Sequence, residues 1–356
     1  VTSATFLSTQ LLSTLVRNLR AAGTLVIAPA KASDGRIDYR AIEQLEEADL
    51  SGDLPRRSLK EFFLPPTEPL FRWTERLKDV DLSEVPTLFP PRVVLGARPC
   101  DAAALEILDK VMGWDYRDEL WFGRRESTTV ISIACPGFDK SCFCTAAGLS
   151  PDSEKGSDLL LVPAGEGFRV ETVTAKGQAL IDANSTCFWE TKEADISGEV
   201  REKVREQVQQ DLAVPLPAVK EWLEKNFSHP YWDALALRCH GCGACAAVCP
   251  TCHCFDIVDE PEGIGHGTRR RNWDTCQTGR FTLHASGHNP REHQNARFRQ
   301  RILHKFYVYP SKFGEVLCTG CGRCARACPA GMDLPEVLTS IAGISTREGA
   351  GAGGAA

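Results

Sequence analysis

The chain places 16 cysteines among 356 residues, and six of them lie between Cys239 and Cys254. Thiolates bind soft metals, join as disulfides or act as nucleophiles, and their spacing separates these uses. Cys239, Cys242, Cys245 and Cys249 are followed by Pro250; the same spacing returns at Cys318, Cys321, Cys324, Cys328 and Pro329. Three thiolates so close together wrap a tight loop around one face of a metal cluster. Gly243 and Gly322 allow the backbone to approach that face closely. Zinc favours two C-x2-C pairs or Cys/His mixtures, which two complete quartets with trailing prolines fit poorly.

This repeat resembles the C-x2-C-x2-C-x3-C-P motif of two-cluster bacterial ferredoxins, in which the fourth cysteine ligates the other cluster. The resemblance assigns Cys239, Cys242, Cys245 and Cys328 to one [4Fe-4S] cluster. It assigns Cys318, Cys321, Cys324 and Cys249 to a second.

Four more cysteines, Cys100, Cys135, Cys142 and Cys144, form a looser group. Cys100 and Cys135 each follow a short β-rich run, RVVLGA (92–97) and TTVISIA (128–134). If those strands are parallel, both thiols sit at the carboxyl edge of one sheet, where α/β folds bind ligands. Gly137 would turn the loop and bring Cys142 and Cys144 back to them. A third [4Fe-4S] cluster suits this set, with zinc as the competitor, because C-x6-C-x-C is no standard signature. Cys252, Cys254 and Cys276 read as spare thiols packed against the clusters. The alternative is a further metal or cluster site with His253 or His240. Cys187 stands alone and reads as structural.

Residues 1–198 must position the third quartet, and they read as an α/β domain. The first segment, with Phe6, Leu7, Leu11, Leu12, Leu15, Val16 and Leu19 at helical spacing, predicts an amphipathic helix. LVIAPA (25–30) supplies another strand, and residues 51–90 read as irregular surface. DAAALEILDKVMG (101–113) reads as a helix with Asp101 at its N-cap and Gly113 at its end. Residues 158–174 read as a β-hairpin. Residues 199–228 form a helical linker broken by Pro215 and Pro217. Residues 229–345 read as a mainly α-helical, two-cluster ferredoxin-like domain with a long insert. Residues 346–356 read as a disordered tail.

The insert carries a basic stretch, 266–306, with nine Lys/Arg and two Asp/Glu in a chain of net charge −6. A solvated face is the ordinary reading of such a run. Compensation of negatively charged clusters is a second use. Nucleic-acid binding ranks last, since no exposed aromatics interleave the charges and the chain as a whole is acidic. No secretory signal or run of about 18 apolar residues is visible. The expectation is a cytoplasmic chain without a membrane span, whose thiols stay reduced. No glycine-rich nucleotide motif is present, so no flavin or NAD(P) site is expected on this chain.

Beyond the ferredoxin repeat, the sequence resembles the iron–sulfur beta subunit of cytosolic NiFe hydrogenases of the sulfhydrogenase type, and the similar iron–sulfur subunit of anaerobic sulfite reductase. The segments carrying this are GARPCDAAAL (96–105), CPGFDKSCFC (135–144), CPTCHCFD (249–256), RNWDTC (271–276), RFRQRILHKF (297–306) and CTGCGRCARACP (318–329). The resemblance implies a non-catalytic relay subunit with three [4Fe-4S] clusters. Its partners would be a flavin subunit that binds NAD(P)H and a NiFe hydrogenase small subunit or other catalytic subunit. The equivalent relay of sulfite reductase is the alternative within this class. A zinc-stabilised scaffold protein is the alternative outside it.

Overall fold

The computed structural model describes residues 4–51, 53–135, 139–191, 202 and 214–352. The strands are β1 (Ala4–Ser8), β2 (Leu25–Lys31), β3 (Ile37–Ile42), β4 (Thr67–Arg76), β5 (Asp79–Glu84), β6 (Arg92–Ala97), β7 (Thr128–Ile133), β8 (Leu159–Ala164), β9 (Gly167–Thr172), β10 (Trp189–Thr191), β11 (Phe255–Gly263) and β12 (His266–Trp273). Eight form one sheet in the order β10-β1-β9-β8-β7-β6-β2-β3. Its central pairs, β2–β6, β6–β7 and β7–β8, are parallel.

Parallel strands covered on both faces read as continuous apolar runs, and these do. Val26, Val93, Leu95 and Ile131 pack under the helix Thr9–Ala21 with its Leu12, Leu15, Val16 and Leu19. Ile27, Val94 and Val130 face the other way, onto Leu105, Leu108 and Trp121. The first helix starts later than its apolar spacing suggests. Ala4–Ser8 is a strand, Phe6 and Leu7 belong to it, and Ser8 caps the helix by accepting from Leu11 N at 3.2 Å. The hairpin expected at 158–174 is present as β8–β9.

The expected irregular surface at 51–90 instead contains a short helix, Lys60–Phe63, and the hairpin β4–β5. These two strands join β11 and β12, from the basic stretch, in a four-stranded antiparallel sheet of order β11-β12-β4-β5. The C-terminal part is therefore less purely helical than its sequence suggests. The stretch between the two cysteine motifs returns to the N-terminal part as a hairpin, and the second sheet bridges both sides of the boundary drawn at 199. Buried Glu68 holds the junction, accepting from Arg124 Nη2 at 2.7 Å and from Arg271 Nε at 2.7 Å. Arg271 also pairs with Asp118.

The remaining core gathers the helices Leu216–Lys225, Tyr231–Ala236, Gln294–Leu303 and Leu334–Ala352 around Trp222, Phe298, Ile302, Leu338 and Ile341. Pro215 and Pro217 do not break the first of these. They sit at its N-cap and first turn, where a missing N–H leaves no bond unmade. The rest of the expected linker helix, 199–213 apart from residue 202, lies outside the described residues. The last helix runs on to Ala352, past Thr346, where the composition puts a disordered tail. Among the described residues no helix is long and apolar enough to cross a membrane.

Candidate iron–sulfur site

The two cysteine repeats adopt the same backbone path. Gly241 and Gly243, like Gly320 and Gly322, have positive φ, and each pair leads into a four-residue helix, Ala244–Ala247 or Arg323–Arg326. Cys239, Cys242, Cys245 and Cys328 line one cavity, partly open to solvent. Cys318, Cys321, Cys324 and Cys249 line a second. The fourth cysteine of each repeat thus stands in the other repeat's cavity. Cys324 and Arg301 line both.

Donors already point at these sulfurs. Gln294 Nε2 lies 3.2 Å from Cys239 Sγ, Lys305 Nζ 3.3 Å from Cys249 Sγ, and Met332 N 3.4 Å from Cys328 Sγ. Burial pushes the Cys318 thiol up to about 12 and Cys324 to about 11. A thiolate there needs a counter-charge, and coordination to a metal replaces the proton with one. Burial opposes the charge on Lys305, but Cys249, Cys252 and Cys318 outweigh it and hold the ammonium's pKa above its usual value.

Strands β6 and β7 are parallel, as the third quartet requires. Cys100 lies in the first turn of the helix Pro99–Met112, directly beyond β6, and Cys135 lies just beyond β7. Asp101 is inside that first turn and not its cap, because Pro99 occupies the first helical position. Besides burial, the nearby Cys321 and Cys142 both help to raise the Cys100 thiol, and Cys142 and Cys135 help to raise Cys144. Burial raises Cys144 to about 12. Gly137, expected to turn this loop, lies outside the described residues.

The same loop packs on the second repeat, backbone against backbone. Phe143 N donates to Gly320 O at 2.8 Å. A Cβ on Gly320 would lie 2.5 Å from the Phe143 carbonyl, and one on Gly322 would lie 2.6 Å from Ser141 O. These glycines therefore admit a neighbouring loop as well as a tight turn. Cys142 Sγ stands 3.8 Å from Cys321 O. Arg326 binds Asp139 at 2.7 Å and also donates to Cys321 O. The third quartet is thus a direct neighbour of the second.

The remaining thiols lie near other thiols: Cys249 helps to raise Cys252 well above its usual value, and Cys276 helps to raise Cys254 at the open end of the β11–β12 hairpin. His253 does not offer a positive charge here, because burial lowers it to about 4; His304, its ring 5.5 Å away, falls to about 3. His240 lines the first cavity. Cys187 is fully buried beside Asn18 Nδ2. Among the described residues no three His, Cys, Asp or Glu side chains are close enough to share a single metal ion. What the cysteines surround are cavities.

Of the nine cations in the basic stretch, Arg269 and Arg270 pair with Asp259 and Glu260 across the hairpin, and Arg271 with Glu68. Arg301 and Lys305 face the thiols instead. Arg301 lies near the end of the helix Gln294–Leu303 and Lys305 in the π-helical turn His304–Val308 that continues it, and both line the second cavity. The cluster fit rests on three observations. The first ferredoxin-like cavity is lined by its quartet and Cys324 and the second by its own quartet, sulfur-directed donors reach these thiols, and the buried Arg301 Nη1 has no hydrogen-bond partner.

Residues 238–332 match the family model of a 4Fe-4S dicluster domain. The chain is 30% identical over 308 residues to sulfhydrogenase 2 subunit beta of Pyrococcus furiosus, a match that covers 85% of this chain and 89% of that protein.

Proposed function

The chain belongs to the family of iron–sulfur sulfhydrogenase beta subunits, electron-transfer components of multisubunit hydrogenases, and from that premise we propose that it is a three-cluster relay. The observation that carries this reading is the exchange of fourth cysteines, with Cys328 in the first repeat's cavity and Cys249 in the second's.

Cys239, Cys242, Cys245 and Cys328 would hold one [4Fe-4S] cluster. Cys318, Cys321, Cys324 and Cys249 would hold the second, and Cys100, Cys135, Cys142 and Cys144 the third. Such clusters supply one-electron chemistry, whereas a nicotinamide gives a hydride and needs a flavin to divide the pair. Contacts within this chain support one order of the sites. Cys142 abuts Cys321, and Cys324 lines both ferredoxin-like cavities, so the second site lies between the third and the first. Cys242 is exposed, which brings the first site to the surface.

On this reading the two ends of the relay meet different partners. One is a flavin subunit that binds NAD(P)H, and the other is a subunit leading to the NiFe centre. The cytoplasm, where thiols stay reduced, is the compartment this chemistry suits. Metal analysis of the anaerobically purified chain tests the reading: about 12 Fe and as much sulfide follow from three cubanes. About 8 Fe with one bound zinc would remove the third cluster.

A further inference from the structure

Arg301 projects from the helix Gln294–Leu303 into the wall between the two ferredoxin-like cavities and lines both. It is only 4% exposed, and its Nη1 is buried without a hydrogen-bond partner. Burying a guanidinium in this way is costly unless an acceptor of opposite charge faces it. No ion pair to a carboxylate is formed by it among the described residues. The groups around it that would carry negative charge as thiolates are Cys245 from the first quartet, Cys249 and Cys324 from the second, and Cys252. Lys305, one turn further along, reaches Cys249 Sγ, Thr251 Oγ1 and Leu317 O, at 3.3, 3.0 and 2.9 Å, and lines the second cavity alone.

We propose that Arg301 is a shared donor to the sulfurs of both clusters of the pair and sets their two reduction potentials together, while Lys305 adjusts only the second. The inference rests on the cluster assignment above. Adding an electron makes a cluster more negative. A fixed cation at its wall therefore stabilises the reduced form, and N–H donation to sulfur acts in the same direction. One guanidinium between two such sites acts on both. A cation bonded to one ligand of one site acts mainly there, because charge interactions fall with distance.

The test is EPR-monitored potentiometry of the full chain, with iron content measured on each sample. The two signals of the pair are assigned through Cys245→Ser and Cys318→Ser. In Arg301→Gln both potentials should fall, each by about 59 mV if the one-electron equilibrium changes tenfold. Lys305→Gln should lower only the second site's potential. Arg301→Lys keeps a charge but loses the planar fork, so both potentials should fall by less. If Arg301→Gln loses iron, Arg301→Lys decides the matter by the same criterion. An iron-loaded Arg301 variant that moves one potential or neither overturns the shared role and leaves the cluster assignment standing. A wild-type chain without iron removes the cluster assignment and this inference with it.

Discussion

Arg323 and Asp101 form a two-pronged ion pair sealed from solvent, with Nη1–Oδ1 and Nη2–Oδ2 both 2.6 Å and side-chain exposures of 1% and 0%. Asp101 also accepts from Tyr39 at 2.8 Å, and Arg323 Nε donates to Pro55 O at 2.8 Å. Asp101 follows Cys100 in the chain and Arg323 precedes Cys324, so the pair ties the third quartet to the second. Removing one partner leaves a buried charge unpaired. Asp101→Asn should therefore cost about 3–5 kcal/mol of stability. Anaerobic denaturant titration measures it, and a loss under about 1 kcal/mol, the level of a surface pair, would contradict the clamp.

Cys100 joins Cys135, Cys142 and Cys144 across a gap in sequence. Cys100→Ser should lose about four Fe and keep the ferredoxin-like pair. Cys187→Ser, inside the apolar core, should keep all the iron. The reverse pattern in metal analysis would show the third ligand set to be wrong.

Cys252, Cys254 and Cys276 lie near other thiols and are not ligands in the assignment above. Replacing each with Ser in turn should leave the iron content unchanged. A loss of about four Fe in all three variants would make them ligands of a further cluster.

Gly320 has a φ of +62° and no room for a side chain, whereas Gly314, at +79°, has nothing near its missing Cβ. Both alanine variants carry backbone strain, but only Gly320→Ala collides with the Phe143 backbone. It should be destabilised by about 1–3 kcal/mol more than Gly314→Ala, the range for overpacking. Paired unfolding curves measure the difference, and equal losses would refute the close loop contact.

A relay needs separate ends. Photocrosslinkers at exposed positions 240, beside Cys242, and 140, beside the third quartet, should trap different subunits of the intact complex. Capture of one and the same partner by both would defeat the two-ended arrangement.

The sequence revealed the parts that obey local rules. LVIAPA, RVVLGA and TTVISIA are covered on both faces, so their apolar runs identify strands directly. The paired cysteine motifs carry their own spacing. The second sheet was hidden because β5 is exposed along its whole length and β11 almost so. The alternation of Val80 and Leu82 in β5 is short and faces solvent, and β11 is mostly acidic and polar after Val258. Phe6 and Leu7 fit the phase of the following helix, so five residues of strand passed as one more helical turn. Asp101 had the composition of a cap. Its actual partner, Arg323, stands 222 residues away, and no local pattern announces such a contact.

The second sheet also bears on how the chain is made. Glu68 and Arg271 meet across 203 residues, so β4 must wait for β12 before its ladder can close. Contacts this distant require loop closure before they are rewarded, which slows folding. During synthesis, domains that can fold alone do so from the N-terminus onward. Here the N-terminal sheet could form early, but the wall joining it to the thiol-bearing half could not. Iron delivery that depends on the finished wall would then have to follow the synthesis of β12. A chain cut between residues 203 and 213 should yield two pieces that recover the second sheet only when mixed.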